Sequence, residues 1–236
     1  MEFGKALTYP FDDDEWLSKL GIAVAVSLIQ LVIPVIGLAP LYGWQVRLIK
    51  NVKDGVELPL PAWDDFGDYV MKGLMVLGAY ILYQLPTLLF WCVGAIVITA
   101  SGGGMAAALE GGADPEALGP VVGVLMACCG CLAIIYSIVA GATFAGGLLR
   151  FADTETFNTF MEIGTNLGLV RDNLGAFIMA LIYIILGMVL LVLASIVTLG
   201  LGSILLTAAM TYFSGHILGQ LAMQIEQGGE PAPAAG

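Results

Sequence analysis

Four long windows without a charged side chain constrain this chain more than any other feature of its sequence. They cover residues 20–46, 73–109, 117–149 and 173–225. Each is long enough for a spanning helix of about 20 residues, and the last is long enough for two. Because the chain is 59% hydrophobic and only 11% charged, it lacks the polar surface of a soluble domain. The sequence therefore predicts a membrane protein.

The order of apolar and polar segments predicts an all-α fold. We expect a polytopic transmembrane helix bundle with about five membrane helices and short interfacial amphipathic helices. Residues 1–225 are predicted to form a single transmembrane domain, and residues 226–236 a disordered C-terminal tail. The Gly-rich stretch 101–119 carries acids but no basic residue, so it is predicted to be a translocated loop. Residues 198–202 predict a tight turn between the last two helices.

The first apolar segment leaves two alternatives open. Pro34 removes the hydrogen bond to the carbonyl of Gln30, so the helix is expected to kink or break there. The segment is either one kinked span with an external N-terminus or a re-entrant hairpin that returns to the side it left. An apolar run of about 25 residues crosses a bilayer more easily than it folds back, which favours the span.

The basic residues predict the orientation of the chain. They lie mainly in two loops, with Arg47, Lys50, Lys53 and Lys72 in the first and Arg150 and Arg171 in the second. By the positive-inside rule we expect loops 46–72 and 150–172 and the C-terminus to be cytoplasmic, in a multi-pass protein of the inner or plasma membrane. The re-entrant alternative would place all eight basic residues inside. The net charge of −11 disfavours nucleic acid as a partner.

The longest polar passage, residues 57–73, predicts an extended segment followed by an amphipathic helix start at the membrane interface. This interfacial motif consists of Pro61, Trp63, Asp64, Asp65 and Asp68. Trp63 is typical of headgroup depth, and the acids are favourable at a helix N-terminus. The three aspartates also have the DDxxD spacing with which some prenyl-diphosphate enzymes hold magnesium.

A capped, solvated helix start is the favoured interpretation of these aspartates, because Asp12–Glu15, the other acidic run, lacks the basic residues that a diphosphate site needs. We therefore predict no catalytic residue, no cofactor and no metal site, and no enzymatic activity. A magnesium-dependent lipid-modifying enzyme is the minor alternative.

Small residues recur at every fourth position of the third apolar segment. They are Cys129, Ala133, Ser137, Gly141 and Ala145. In lipid such a stripe allows two helix backbones to approach closely, so it predicts a helix-packing face. The other cysteines, Cys92, Cys128 and Cys131, have no histidine near them in sequence and are interpreted as small buried packing residues.

Tyr212, His216 and Gln220 form a polar stripe on the last predicted helix, beside the GxxxG pair Gly215 and Gly219. A histidine at membrane depth is a functional-site candidate by default. With no buried acid to pair with it, an interhelical hydrogen bond is the favoured interpretation. A ligand or proton role for the stripe is the alternative.

Several motifs resemble a known family. They are Tyr9-Pro10-Phe11 with Trp16, Gly43-Trp44 before Arg47, the run from Leu60 to Gly67, and Lys72-Gly73. The chain is similar over about residues 7–90 to the prokaryotic membrane family catalogued as domain of unknown function 4013, and it departs from that pattern at Trp44 and Lys72. The resemblance implies a polytopic inner-membrane protein of bacteria or archaea, and it implies no reaction, ligand or catalytic residue.

The absence of ionisable groups from the apolar windows disfavours an ion-coupled carrier. We predict a non-enzymatic scaffold or accessory subunit. Its partners would be the lipid bilayer and either a second copy, forming a homo-oligomer, or another membrane protein. The alternative is a passive channel or carrier for a small neutral or lipid-like molecule. It is suggested by two proline-broken helices that each carry a glutamine, Gln30 and Gln84.

Overall fold

The fold is all-α, as predicted. The structure is a computed structural model, which describes residues 1–30, 32–111, 115–197 and 202–229, with side chains described outside 97–98, 100–122, 202–205 and 229. No β-strand occurs in these residues. The helices are α1 (Phe3–Thr8), α2 (Trp16–Ile29), α3 (Pro34–Lys53), α4 (Phe66–Gly111), α5 (Pro115–Thr154), α6 (Asn158–Met161), α7 (Ile163–Asp172), α8 (Leu174–Val197) and α9 (Gly202–Gly229), with a 3-10 turn at Tyr9–Asp12.

Three helical stretches in the described residues are long and apolar enough to cross a membrane. They are Phe66–Ile96, Gly123–Thr154 and Leu174–Val197. Between 11% and 17% of the most apolar window in each stretch is buried inside the molecule, so the rest of that surface must face lipid or other proteins. The chain is therefore a membrane protein.

The first apolar segment breaks at Pro34, as predicted. Helix α2 ends at Ile29, and Pro34 occupies the first turn of α3, where its missing N–H costs no hydrogen bond. Helix α2 has 14 residues, about 21 Å at 1.5 Å per residue, which is too short for a hydrocarbon core of about 30 Å.

Helices α2 and α3 form a helical hairpin, which is the geometry that the re-entrant alternative predicts. A Cβ on Gly37 would overlap the backbone of Gln30, so the chain turns back on itself between α2 and α3. Further along, two aromatic side chains connect the start of α2 to the middle of α3. Trp63 and Tyr212 both donate to the carbonyl of Lys19 on α2. Both rings also contact Trp44 on α3. The two helices thus run antiparallel.

The prediction of a loop over residues 101–119 is wrong for most of its length. Helix α4 continues to Gly111 and α5 begins at Pro115, while residues 112–114 lie outside the described chain. Pro86 also lies inside α4 and does not end it. Glycine and proline weaken a helix without forbidding it in a membrane, where an unpaired backbone group is more costly than in water. The predicted turn at 198–202 falls almost entirely on residues 198–201, which the structure does not describe.

The connector after α5 forms two short helices. Helix α6 ends at Met161 and α7 begins at Ile163. Fully buried Asn166 on α7 donates to the carbonyl of Thr159 (2.8 Å) and accepts from Arg150 (2.7 Å). Because one side chain joins α5, α6 and α7, the connector packs as a compact group against the end of α5.

The chain divides into two compact units. Unit 1 comprises Met1–Ala79 and Ala145–Gly236, and unit 2 comprises Tyr80–Phe144. Unit 2 is an antiparallel pair of helical stretches from α4 and α5, joined by hydrogen bonds between Thr87 and Ser137 and from Tyr136 to the carbonyl of Tyr83. The single domain over 1–225 stays a prediction. Helix α9 includes residues 226–229 of the predicted tail, and residues 230–236 are not described.

Two glycines allow α3 and α4 to touch through their backbones in unit 1. A Cβ on Gly73 would overlap the carbonyl of Ala39, and a Cβ on Gly43 would overlap the carbonyl of Tyr69. Both obstacles are backbone atoms that cannot rotate away. Only glycine at these two positions permits the observed crossing.

We expect Gly73→Ala to lower the free energy of unfolding by about 3 kcal/mol, because the added methyl must push the α3 and α4 backbones apart. The measurement is the thermal unfolding midpoint of the detergent-purified protein. Gly67→Ala is the matched control. Gly67 lies in the first turn of α4, and no described atom lies within 4 Å of the place that its Cβ would take, so alanine should leave stability unchanged or raise it slightly. Equal midpoints for Gly73→Ala and wild type would contradict the close crossing.

Candidate functional site

A segment without regular secondary structure, residues 58–65, is held within unit 1 by aromatic side chains that donate to backbone carbonyls. Trp44, fully buried on α3, donates from Nε1 to the carbonyl of Pro61 (3.0 Å). Its ring stacks on Trp63, with centroids 5.9 Å apart, and meets Tyr212 edge-on at 4.6 Å. Tyr69 donates to the carbonyl of Ala62 (2.7 Å). A segment without regular structure thereby has its backbone acceptors satisfied.

An ion pair joins the N-terminal residues to this segment. Lys19 Nζ lies 2.7 Å from the Asp13 carboxylate and donates to the carbonyl of Leu60 (3.3 Å). The Asp13 carboxylate also accepts from the backbone N–H of Glu15 (2.8 Å). Burial raises the pKa of Asp13, but the hydrogen bonds from Lys19 and Glu15 outweigh burial and lower the pKa below its usual value.

The predicted polar stripe on α9 contacts the N-terminal residues. Tyr212 donates to the carbonyl of Lys19 (3.1 Å), and the His216 ring lies against that of Tyr9, with centroids 4.1 Å apart. The Gln220 amide pairs with the backbone of Glu2: Oε1 accepts from its N–H (2.5 Å), and Nε2 donates to its carbonyl (3.2 Å). Gln220 Nε2 also lies 3.0 Å from His216 Nδ1.

The glycine pair beside the stripe packs within the chain. A Cβ on Gly215 would lie 2.8 Å from Leu48, and a Cβ on Gly219 would lie 2.5 Å from Val52, both on α3. This face is therefore occupied by the protein's own helix, and it is not free to contact a second copy.

The predicted packing face on α5 is split between two environments. Ala133 is buried, and the Ser137 hydroxyl bonds that of Thr87 on α4 (3.1 Å). Cys129 and Ala145 are half-buried, but Gly141 is exposed, and no described atom lies within 4 Å of where its Cβ would be. The middle of the stripe thus packs on α4, while Gly141 turns away.

The interfacial motif is divided between buried rings and exposed acids. Pro61 is buried and Trp63 half-buried, and the Trp63 indole donates to the carbonyl of Lys19 (3.0 Å), so its polar edge faces protein. The acids Asp64, Asp65 and Asp68 are exposed. Asp68 bonds Lys72 one turn on (2.7 Å), and Lys72 also reaches Glu155 (2.7 Å). Among the described residues, no three His, Cys, Asp or Glu side chains are grouped so as to hold a metal ion.

Three of the four cysteines differ from their interpretation, and the two glutamines lie in different units. Cys92, Cys128 and Cys131 are exposed on apolar helices, so the interpretation of buried packing residues is wrong for these three. Gln30, considered as part of a polar path, donates to the Thr207 hydroxyl (2.9 Å) and is satisfied within unit 1. Gln84 is half-buried in unit 2.

Sequence reasoning missed the long-range ion pairs of Lys53 and a cavity. Lys53 at the end of α3 binds both Asp153 and Glu226 (3.0 Å to Glu226). Burial lowers the pKa of Lys53, but the hydrogen bonds that it donates to these carboxylates outweigh burial and raise it. A cavity of about 480 Å³ opens nearby, lined by residues from the N-terminus, the segment 52–59 and α9, including His216 and Gln220. The two carboxylates that Lys53 binds lie 100 residues or more from it in sequence, so no local pattern indicates these ion pairs.

We expect the Asp13–Lys19 pair to make stability depend on acid pH. Because the pKa of Asp13 is lower in the folded chain than its usual value of about 3.9, the pair stabilises the fold above that value and the stabilisation is lost as the pH falls through the folded pKa. Asp13→Asn should cost about 2 kcal/mol at pH 7 and less towards pH 3. The measurement is the unfolding midpoint of both proteins from pH 7 to 3. Asp14→Asn, at an exposed neighbour, is the control. A constant gap between wild type and Asp13→Asn would contradict the prediction.

Comparison with known proteins gives one match. The family described as "Protein of unknown function (DUF4013)" matches residues 26–218. The match extends well beyond the motifs that suggested the family, although it leaves out residues 9–16, which carried the first of them. No curated protein and no solved structure matches the chain significantly. Because the family covers most of the sequence, the chain belongs to the DUF4013 family of proteins of unknown function.

Proposed function

We propose that this protein is a non-enzymatic membrane scaffold or accessory subunit that contacts a helix of a second copy or of another membrane protein through unit 2. The observation that supports it is a line of three open glycines on α5: Gly123, Gly130 and Gly141. At 100° per residue, they fall within about 20° of one another on the helix surface. No described atom lies within 4 Å of a Cβ placed on any of them.

Open glycines in a helix have a cost that the chain itself does not offset. Each destabilises a helix by about 1 kcal/mol relative to alanine. Glycines 43, 73, 215 and 219 are different, because each permits a close approach within unit 1. In lipid, where association depends on close packing, a glycine line permits the approach of a partner backbone. We infer that the open line on α5 does the same for a partner.

The polar groups in the apolar helices support a scaffold more than a conduit. Thr143 and Ser195 donate to carbonyls of their own helices (2.7 and 3.0 Å), and Thr87 bonds Ser137. Among the described residues, no fully buried side-chain nitrogen or oxygen lacks a partner. Hydroxyls that are satisfied in this way offer little to a polar solute moving between helices.

We expect the double variant Gly130→Leu and Gly141→Leu to weaken association while leaving the fold intact. The leucines enter open space and improve helix propensity, but they hold a partner backbone away from α5. The measurements are association in membranes by energy transfer between labelled copies, cross-linking to other membrane proteins, and the thermal unfolding midpoint. We expect association to weaken at least about tenfold, equivalent to about 1.4 kcal/mol.

Gly21→Leu is the matched control, because Gly21 is also open but lies on α2 in unit 1. It should leave association unchanged. The proposal fails if the double variant associates as well as wild type, or if the wild-type chain is monomeric and cross-links to no other protein.

We further propose that the end of unit 1 that carries Lys19, Lys53, Lys72 and Arg150 lies in the cytoplasm, in the inner membrane of a prokaryotic cell. The cavity and the ion pairs bring the N-terminus, the segment 52–59, Asp153 and Glu226 together at this end. The re-entrant hairpin thus gathers basic residues on one side, which the positive-inside rule associates with the cytoplasm.

Single cysteines in a background without the native ones test this orientation. In intact cells, Ser18→Cys and Gln227→Cys should resist an impermeant maleimide, and both should label after lysis. Ser101→Cys, in the segment predicted to be translocated, should label from outside and serves as the positive control. Labelling of Ser18→Cys from outside would show a crossing first segment and contradict the proposed topology.

A further inference from the structure

The cavity in unit 1 has the dimensions of a ligand site and a polar wall. Its volume of about 480 Å³ lies within the range of small-molecule sites. The residues that line it include Glu2, Lys5, Asp12, Glu57 and His216, with apolar surface from the segment 52–59. The cavity is assembled from three distant parts of the chain, and neither the family match nor the proposed scaffold role assigns it a purpose.

The hydrogen bonds around Gln220 determine where the His216 proton lies. The backbone N–H of Glu2 can only donate, so the Gln220 atom that it meets at 2.5 Å is the carbonyl Oε1. The other amide atom, 3.0 Å from His216 Nδ1, is then the donor Nε2. A ring nitrogen that accepts a hydrogen bond carries no proton. His216 is therefore a neutral imidazole protonated on Nε2.

The Nε2–H group of His216 is available to the cavity. His216 is 3% exposed, and among the described residues its one hydrogen bond is the contact with Gln220 at Nδ1. Every side-chain nitrogen or oxygen of the described residues that is shut off from solvent has a partner. Nε2 has none, so it must reach solvent, and His216 lines the cavity. The cavity is thus lined by a hydrogen-bond donor that is nearly buried and has no partner among the described residues.

The charges on the cavity wall favour a cation. Three acidic residues, Glu2, Asp12 and Glu57, line it, against two residues that carry an ammonium group, Lys5 and the N-terminal Met1. The whole chain carries a net charge of −11, which adds to the negative potential and repels anions. A ligand that suits both features has a positive group for the carboxylates and an acceptor for His216.

We propose that the cavity binds a small organic ammonium ion that also carries a hydrogen-bond acceptor. The carboxylates of Asp12 and Glu57 hold the ammonium group, and the Nε2–H of His216 donates to the acceptor. The same chemistry occurs in a free amino alcohol and in the ethanolamine headgroup of a membrane lipid. This inference is independent of the glycine line on α5, which lies in unit 2.

The test uses three probes on the full chain in detergent: ethanolamine, propylamine, which lacks the acceptor, and acetate, which lacks the cation. Binding is measured by calorimetry at low ionic strength. With four heavy atoms, ethanolamine should bind at about 0.1 mM or weaker. We expect it to bind about fivefold more tightly than propylamine, since one hydrogen bond contributes about 1 kcal/mol, and acetate not to bind.

Two variants separate the two halves of the site. Asp12→Asn with Glu57→Gln should weaken ethanolamine about fivefold or more, whereas Asp14→Asn, an exposed acid outside the cavity, should change nothing. His216→Phe keeps a ring against Tyr9 and removes the donor. It should abolish the preference for ethanolamine over propylamine without weakening propylamine.

An experiment in lipid nanodiscs distinguishes a free amino alcohol from a lipid headgroup as the ligand. If ethanolamine binds only as a headgroup, nanodiscs of phosphatidylethanolamine should raise the unfolding midpoint over nanodiscs of phosphatidylglycerol, and the carboxylate double variant should remove the difference. The proposal is overturned if the double variant binds ethanolamine or responds to this lipid like wild type, if acetate binds more tightly than ethanolamine, or if neither experiment shows an effect.

Discussion

The carbonyl oxygen of Lys19 is the point on which unit 1 depends. It accepts from the Trp63 indole (3.0 Å) and from the Tyr212 hydroxyl (3.1 Å), so α2, the segment 58–65 and α9 meet at one atom. The same lysine's ammonium group reaches Asp13 and the carbonyl of Leu60. Buried backbone without regular secondary structure is tolerated only if its polar groups find partners. Aromatic donors meet that requirement here, and they add apolar surface as well.

The hairpin of α2 and α3 is held by contacts of the same kind. Helix α2 is too short to cross, and protein groups contact it near both ends: the Lys19 carbonyl accepts from Trp63 and Tyr212, and the Gln30 side chain donates to the Thr207 hydroxyl. Its return brings the N-terminal residues beside the ends of α3 and α9. There Lys53 joins carboxylates from two distant segments, those of Asp153 and Glu226.

The sequence predicts those features that one helix determines alone. The charge-free windows, the break at Pro34 and the shared face of His216 and Gln220 all follow from helix geometry and from proline's missing N–H. The sequence does not show which helices pack against one another. The GxxxG pair is visible in the sequence, but its spacing is the same whether α3 or another copy packs on it. The Gly-rich stretch 101–111 predicts a loop because glycine weakens helices in water, yet in the structure it continues α4.

The position of the proton on His216, in the cavity, is a property that the sequence alone does not determine. Spacing of four residues puts Gln220 next to His216, and that contact alone leaves the imidazole proton undetermined, since an amide can offer either its oxygen or its nitrogen. The backbone of Glu2, 218 residues away in sequence, removes the ambiguity by requiring the oxygen for itself. The chemical state of the one histidine is thus set by how the N-terminal residues dock on α9. A change that loosened this docking would allow Gln220 to rotate, and His216 would lose the fixed donor that the cavity presents.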